Sequence, residues 1–145
     1  MAQRVVTVCT GNICRSPVAE AVFRAQCSNV IVSSAGLHAL VGQGIDPDSR
    51  RAAQQYGIAL HDHSARQFSA EIGAEADVII VMEKHHRLEI MQRWPHLLGK
   101  TFLLGHFEKA KEIPDPYRQG SFMHLQMAEM ILDSVAIWDK QLSEP

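Results

Sequence analysis

One stretch near the start of this chain organises the rest of it: Val8-Cys9-Thr10-Gly11-Asn12-Ile13-Cys14-Arg15-Ser16-Pro17-Val18-Ala19-Glu20. The β-branched run that leads into it, residues 4–8, predicts a buried strand. The pair Ser16-Pro17 predicts a helix start, with the hydroxyl as cap and the proline in the first turn. A loop between a strand end and a helix start presents several backbone N–H groups to one point, at the positive end of the helix dipole. The stretch therefore predicts an anion site.

Two reactive side chains begin and end this loop. They are Cys9 and Arg15, and five residues separate them. A thiol at the base of a cup of amides should be held as a thiolate, the form that attacks. A planar guanidinium grips two oxygens of a phosphoryl group better than a lysine does. Gly11 and Asn12 permit a left-handed backbone and a close approach to a ligand, and Ser16 is placed to donate to the sulfur when it leaves.

Strands and amphipathic helices alternate along the whole chain. Strands are predicted at residues 4–8, 29–33, 78–82 and 101–104, and helices at 17–27, 47–56, 83–93 and over the last stretch from Met123 to Trp138. Apolar strands that alternate with helices indicate an α/β fold with a parallel sheet covered on both faces. Ligands in such sheets bind beyond the carboxyl ends of the strands, where Cys9 lies. The length of 145 residues predicts a single domain, residues 1–145.

Composition narrows the function classes further. A net charge of −2 gives no reason to expect nucleic acid as a partner, and no apolar run is long enough to insert into a membrane. The 3 cysteines include no Cys-x-x-Cys pair, which favours reduced thiols in a cytoplasm. The histidine pairs His61-x-His63 and His85-His86 lack a third ligand at useful spacing, so neither a metal nor another cofactor is expected.

The residues from Cys9 to Pro17, followed by Ala19-Glu20, closely resemble the active-site loop of the low-molecular-weight protein tyrosine phosphatases. The resemblance covers the whole chain, because Asp115-Pro116-Tyr117 falls where that family has its general acid. It implies a four-stranded parallel sheet in the order 2-1-3-4, flanked by helices on both faces. It also implies hydrolysis of phosphotyrosine through a cysteinyl-phosphate. Cys9 is then the nucleophile, Arg15 binds the phosphoryl group, and Asp115 protonates the leaving group.

The same resemblance implies roles for the surrounding residues. The phosphate is expected to contact one continuous loop, namely Thr10, Gly11, Asn12, Ile13, Cys14, Arg15 and Ser16. Ser34 and His63 are expected to support that loop through a hydrogen-bond network. Tyr117 is expected at the cleft wall beside the substrate ring. Leu40 replaces a large aromatic of the eukaryotic members, so it should make a less confining wall.

The other two cysteines need separate interpretations. Cys14 either packs in the interior or, as the resemblance implies, forms a reversible disulfide with Cys9 that protects the nucleophile from over-oxidation. Cys27 is expected to be a packing residue on the first helix. The apolar neighbours of Asp115, which include Ile113, are expected to desolvate its carboxyl group.

Three alternative functions compete with this interpretation. Arsenate reductases of the same fold need further cysteines, and this chain has none after Cys27. Protein arginine phosphatases share the loop, but their loop sequence resembles Cys-Thr-Gly-Asn-Thr-Cys, with threonine at the position of Ile13. Here Ile13 leaves room for a phenyl ring and offers no hydroxyl to a guanidinium. A non-catalytic phosphate-binding module needs neither the thiol of Cys9 nor the acid of Asp115.

The sequence around the acid, Pro114-Asp115-Pro116-Tyr117-Arg118, together with Leu40, resembles one bacterial subgroup of the family. That subgroup acts on autophosphorylating tyrosine kinases that govern capsule and exopolysaccharide export. The resemblance implies a phosphotyrosine protein as partner, such as the cytoplasmic tail of a membrane tyrosine autokinase. We expect the enzyme to work as a monomer.

Overall fold

The computed structural model describes residues 2–143. Along the chain the elements are β1 (Gln3–Cys9), α1 (Arg15–Gln26), β2 (Val30–Gly36), α2 (Pro47–Gln55), α3 (Ala70–Glu75), β3 (Val78–Val81), α4 (Lys84–Arg93), a 3-10 helix (Pro95–Lys100), β4 (Thr101–Leu103) and α5 (Ser121–Ser143). All the strand pairs are parallel, and the strand order is β2-β1-β3-β4. The predicted α/β fold and its strand order are confirmed.

The sheet is buried because its side chains alternate between two apolar layers. On β1, Val5 and Cys9 face the layer that contains α1, α2 and α5, whereas Val6 and Val8 face the layer with α4 and the 3-10 helix. Burial on both faces explains why the strands are continuously apolar. Because β1 and β3 run parallel, their carboxyl ends lie at one edge of the sheet, and α1 and α4 follow from that edge.

Two helical segments were not predicted from the sequence. Both α3 and the 3-10 helix contain 6 residues. Segments this short complete at most two turns, which is too few for a helical period to show in their apolar residues. The predicted start of α2 is confirmed, since the Asp46 side chain caps the helix by accepting the N–H groups of Asp48 and Ser49.

Within residues 2–143, no helix combines the length and the apolar character that crossing a bilayer requires.

Candidate active site

The loop from Cys9 to Arg15 turns its carbonyl oxygens outward. Each of the consecutive carbonyls from Cys9 to Cys14 accepts a hydrogen bond from a donor beyond the loop. In order, these donors are the N–H groups of Leu37, His38 and Leu40, the ring of His63, and the N–H groups of Asp46 and Val18. In a trans peptide the N–H points opposite to the C=O, so the amides of the loop face its interior. Such a ring of N–H groups at a helix start is an anion-binding nest.

Asn12 forms the corner of this loop, with a φ of 60° in the left-handed region. The sequence suggested Gly11 for this bend as well, but Gly11 has no positive φ. The buried Asn12 amide donates to Ser16 Oγ (2.8 Å) and to Ser34 Oγ (3.0 Å). His63 Nε2 donates to the Asn12 carbonyl (2.6 Å). The structure therefore brings Ser34 and His63 into contact with the loop that they are predicted to support.

The sulfur of Cys9 faces a hydroxyl group, because Ser16 Oγ lies 2.9 Å from Cys9 Sγ. Ser16 Oγ already accepts the Asn12 amide, so its own hydrogen is available to the sulfur. The other acceptor within reach, the Ala35 carbonyl, is farther away at 3.4 Å. A donor in this position stabilises negative charge on the sulfur.

The predicted N-cap role of Ser16 is wrong. Helix α1 begins at Arg15, two residues before the predicted start at Pro17, and its cap position is Cys14, which makes no side-chain capping bond. The Ser16 hydroxyl is turned toward Cys9 instead. The Ser16 hydroxyl, predicted to cap the helix, is therefore part of the candidate active site.

Arg15 is buried, with a relative exposure of 1%, and is anchored on one side. Its Nη1 donates to Glu83 Oε1 (2.7 Å) and to the Ile113 carbonyl (2.8 Å). Its Nε has no hydrogen-bond partner within residues 2–143. Its Nη2 makes only long contacts, 3.5 Å to Thr10 Oγ1 and 3.7 Å to Asp115 Oδ2. Nε and Nη2 form one edge of the guanidinium fork, so this edge is free to grip two oxygens of an anion.

A neutral histidine lies behind Thr10. Burial and the positive charge of Arg15 lower the pKa of His86 to about 3. The Nδ1 of this ring accepts the Glu83 N–H (3.1 Å), so the hydrogen sits on Nε2 and is donated to Thr10 Oγ1 (2.9 Å). This hydrogen bond fixes the orientation of the hydroxyl of Thr10, which is the residue directly after Cys9 in the loop.

Acid is expected to destabilise the fold through His86. The folded ring takes up its proton only near a pKa of about 3, whereas the unfolded ring does so near 6.5. Between these values the unfolded chain binds more protons, so stability is complete above pH 6.5 and is lost as the pH falls. From pH 7 to pH 5 the free energy of unfolding should drop by about 2 kcal/mol on account of this residue. Urea titrations of the wild type and His86→Gln at both pH values measure the difference. Equal losses in the two proteins would contradict a neutral His86.

A cavity of about 200 Å³ opens over Cys9 and Arg15. Leu40 and Tyr117 line it, as predicted for the substrate walls, and Asp115 stands at its edge. The Asp115 side chain is 48% exposed, so its apolar neighbours do not desolvate it as the sequence suggested. Its Oδ1 accepts the Tyr117 N–H (3.1 Å), and its Oδ2 lies 3.7 Å from Arg15 Nη2.

All three cysteines are buried free thiols. Burial raises the pKa of Cys27 to about 12, and this thiol packs in the apolar layer beside α1. Burial also raises the pKa of Cys14 to about 12, and Cys14 lines the same cavity as Cys9. The disulfide between Cys9 and Cys14 stays a prediction.

Gly36 lies opposite Cys9 in the β1–β2 pair and leaves no space for a side chain. A Cβ at this position would stand 2.5 Å from the Thr10 carbonyl and 3.0 Å from the Asn12 N atom. We expect Gly36→Ala to displace the loop and to slow aryl phosphate hydrolysis about 100-fold, the effect of a misplacement near 1 Å. Gly99→Ala is the matched control, since an added Cβ there meets no atom within 4 Å. Wild-type kcat/KM in Gly36→Ala would show that the loop does not need this close approach.

Two functional neighbours, Glu83 and His86, were not identified from the sequence. Glu83 anchors Arg15, and His86 orients Thr10. Both residues follow the carboxyl end of β3, which is the sheet edge where ligands bind in this fold class. Their position directly after a predicted strand was the one sequence signal that could have identified them as candidate site residues.

Comparison with known proteins identifies the family. The sequence model of the family described as low molecular weight phosphotyrosine protein phosphatase matches residues 4–145. The low molecular weight protein-tyrosine-phosphatase Wzb of Salmonella typhimurium is 38% identical over 143 residues, which cover 99% of this chain and 96% of the relative. The crystal structure of the tyrosine phosphatase Wzb from Escherichia coli K30 in complex with sulphate superposes with a TM-score of 0.93 at 35% identity, covering 99% of this chain and 100% of that one.

A structure of a second kind of phosphatase is also similar. The YwlE arginine phosphatase from Geobacillus stearothermophilus superposes with a TM-score of 0.90 at 28% identity, covering 97% of this chain and 92% of that one. The sequence is thus more similar to the tyrosine phosphatases described above. From the match over residues 4–145 and the identity of 38%, we conclude that this chain belongs to the low molecular weight phosphotyrosine protein phosphatase family.

Proposed function

We propose that this protein hydrolyses phosphotyrosine in proteins through a cysteinyl-phosphate intermediate. One observation carries the proposal. The free Nε and Nη2 edge of the buried Arg15 adjoins the cavity over Cys9, inside a loop whose amides point inward. A phosphoryl group offers several anionic oxygens to these donors, and it places phosphorus next to the sulfur.

In the first step the Cys9 thiolate attacks phosphorus. A sulfur–phosphorus bond forms while the bond from phosphorus to the phenolic oxygen breaks. The phenolate is a poor leaving group, since its conjugate acid has a pKa of about 10. Asp115 at the cavity edge supplies the proton that it needs. Arg15 and the loop amides meet the charge that develops on the phosphoryl oxygens.

In the second step a water molecule attacks the phosphorus of the cysteinyl-phosphate. Asp115, now a carboxylate, takes a proton from this water, and the phosphorus–sulfur bond breaks. The sulfur leaves as a thiolate, which Ser16 stabilises through its hydroxyl at 2.9 Å. Inorganic phosphate is released, and the resting enzyme is restored.

The walls of the cavity favour an aromatic ester. Ile13 is buried and packs with Cys14, Ala65 and Tyr117 into a small apolar cluster beside the loop. An apolar wall suits a phenyl ring and offers no acceptor to a phosphoguanidinium. Arginine phosphatase activity is the second candidate, because the YwlE enzyme shares the fold with a TM-score of 0.90.

A substrate comparison tests this proposal. Three peptides of one sequence would carry phosphotyrosine, phosphoarginine or phosphoserine, and phosphate release would be followed in the presence of a chelator. We expect the highest kcat/KM for the phosphotyrosine peptide, and a shift toward phosphoarginine in Ile13→Thr. Faster release from the phosphoarginine peptide by the wild type would establish the second candidate instead.

We further propose that the partner is a bacterial tyrosine autokinase governing capsule or exopolysaccharide export, which this enzyme meets as a monomer in the cytoplasm. The residues around Asp115 and the similarity to the Wzb proteins support this proposal. Cys9→Ser retains the phosphate donors, so it should trap its substrate from a lysate. Recovery of a phosphotyrosine kinase is expected. Recovery of other phosphotyrosine proteins alone would contradict the partner but not the activity.

A further inference from the structure

Three side chains with metal-binding atoms meet where α1, α2 and α5 begin. The sulfur of Cys14, a carboxylate oxygen of Asp46 and a ring nitrogen of His124 all lie within 4.8 Å of one another. They come from the cap position of α1, the cap of α2 and the first turns of α5. We propose that Cys14, Asp46 and His124 form a binding site for a zinc ion.

His124 provides the strongest evidence. The side chain is completely buried, and its Nε2 has no hydrogen-bond partner within residues 2–143. A buried polar atom without a partner costs free energy. Nε2 lies 3.9 Å from Asp46 Oδ1 and 4.0 Å from Asp48 Oδ2. These separations are too long for hydrogen bonds. Ligand atoms at about 2 Å from one tetrahedral ion lie about 3.3 Å apart, so a side-chain movement of about half an ångström brings these atoms onto a shared ion.

The surrounding contacts orient two of the ligands. His124 Nδ1 pairs with Ser49 Oγ at 2.7 Å, and with the hydrogen on Nδ1 the Nε2 lone pair faces the carboxylates. Metal-binding histidines commonly donate their second N–H in this way. Asp46 Oδ1 accepts the Asp48 N–H at 3.0 Å as the cap of α2, which holds the carboxylate in place. His124 and Asp46 are thus oriented before any ion arrives.

The charges also favour a cation. Asp46 and Asp48 place two carboxylates within 4.0 Å of His124 Nε2. The Cys14 sulfur lies within 4.8 Å of a carboxylate oxygen of Asp46, so a thiolate here would add a further negative charge. A divalent ion compensates these charges and binds the sulfur as a thiolate.

The donor set selects the metal. One sulfur, one imidazole nitrogen and one carboxylate oxygen form a mixed set that zinc accepts, with a fourth position left for water or Asp48. An ion bound here joins the loop to α2 and α5. It also keeps the Cys14 sulfur from pairing with Cys9. The site does not rest on the proposed function, because none of its ligands takes part in the two cleavage steps.

Cobalt titration of Cys9→Ser tests the site, because this background removes the nucleophile as a competing ligand. Co²⁺ replaces Zn²⁺ in such sites and gives a thiolate-to-cobalt absorption band. We expect one ion per chain, displacement by Zn²⁺, and loss of the band when Cys14→Ser is added. Asp46→Asn retains the helix cap, and we expect it to weaken Co²⁺ binding about tenfold or more, as we do for His124→Gln. His96→Gln, an exposed histidine on the 3-10 helix, is the matched control and should bind as before.

Thermal unfolding gives a second readout, since a ligand that binds only the folded chain raises the Tm. Zn²⁺ should raise the Tm of Cys9→Ser and have little effect once Asp46→Asn is added. If His124→Gln does not fold, Ser49→Ala is the alternative variant. It removes the hydroxyl that pairs with His124 Nδ1, so it should weaken Co²⁺ binding through His124 Nε2. Absence of the band in Cys9→Ser would overturn the site, as would unchanged Co²⁺ affinity in both Asp46→Asn and His124→Gln. Neither result bears on phosphatase activity, which is not measured.

Discussion

Cys9→Ser is expected to lose hydrolysis of aryl phosphates, with kcat falling about 10⁵-fold or more. A serine hydroxyl remains protonated at neutral pH, and within residues 2–143 the side chain in hydrogen-bond contact with Cys9 Sγ is the hydroxyl of Ser16, which is not a base. The loop amides and Arg15 are unchanged, so the variant should still bind inorganic phosphate. Steady-state assays with a chelator present, together with a phosphate titration, measure both effects.

Cys27→Ser is the matched control for this prediction. Cys27 is also a buried cysteine, but it packs beside α1 in the apolar layer, away from the cavity over Cys9. We expect its kcat to remain close to that of the wild type, with some loss of stability from the buried hydroxyl. Retention of the wild-type rate in Cys9→Ser would exclude the cysteinyl-phosphate mechanism.

Asp115→Asn is expected to slow hydrolysis most where the leaving group needs a proton. For phosphotyrosine or phenyl phosphate we expect kcat to fall by about 10²- to 10⁴-fold, the usual contribution of a general acid. A nitro-substituted phenolate leaves without protonation, so its ester should lose much less. Asparagine preserves the contact between position 115 and the Tyr117 N–H, so the turn should keep its shape. A series of aryl phosphates, compared by the slope of log kcat against leaving-group pKa, measures the effect.

Asp62→Asn is the control for the removal of one carboxylate, because Asp62 is exposed in a segment without regular structure. Its slope should equal that of the wild type. A loss in Asp115→Asn that is the same for every leaving group would assign Asp115 to phosphate binding or loop structure rather than to proton transfer.

Several features of the sequence predicted the structure because they depend on neighbours along the chain. The β-branched run before Cys9, the Asp46-Pro47 helix start and the continuous apolar run 78–82 correspond to β1, α2 and β3. Propensity, capping and periodicity act over a few residues, so they are readable from a short window. The same short-range reasoning wrongly assigned Ser16 as the cap of α1. A serine before proline is typical of a helix cap, but here its hydroxyl contacts the sulfur of Cys9.

The local strand–loop–helix pattern and the spacing of Cys9 and Arg15 were sufficient to predict an α/β fold with an anion site at a sheet edge. The contacts that complete the anion site and the proposed zinc site join residues far apart in the chain. Arg15 and Glu83 are 68 residues apart, Thr10 and His86 are 76 apart, and Ser49 and His124 are 75 apart. These contacts exist only because parallel strands bring their carboxyl ends to one edge and α5 packs against α1 and α2. No preference that acts over a few residues encodes contacts of this range. They form when burial of the apolar faces packs the strands and helices together.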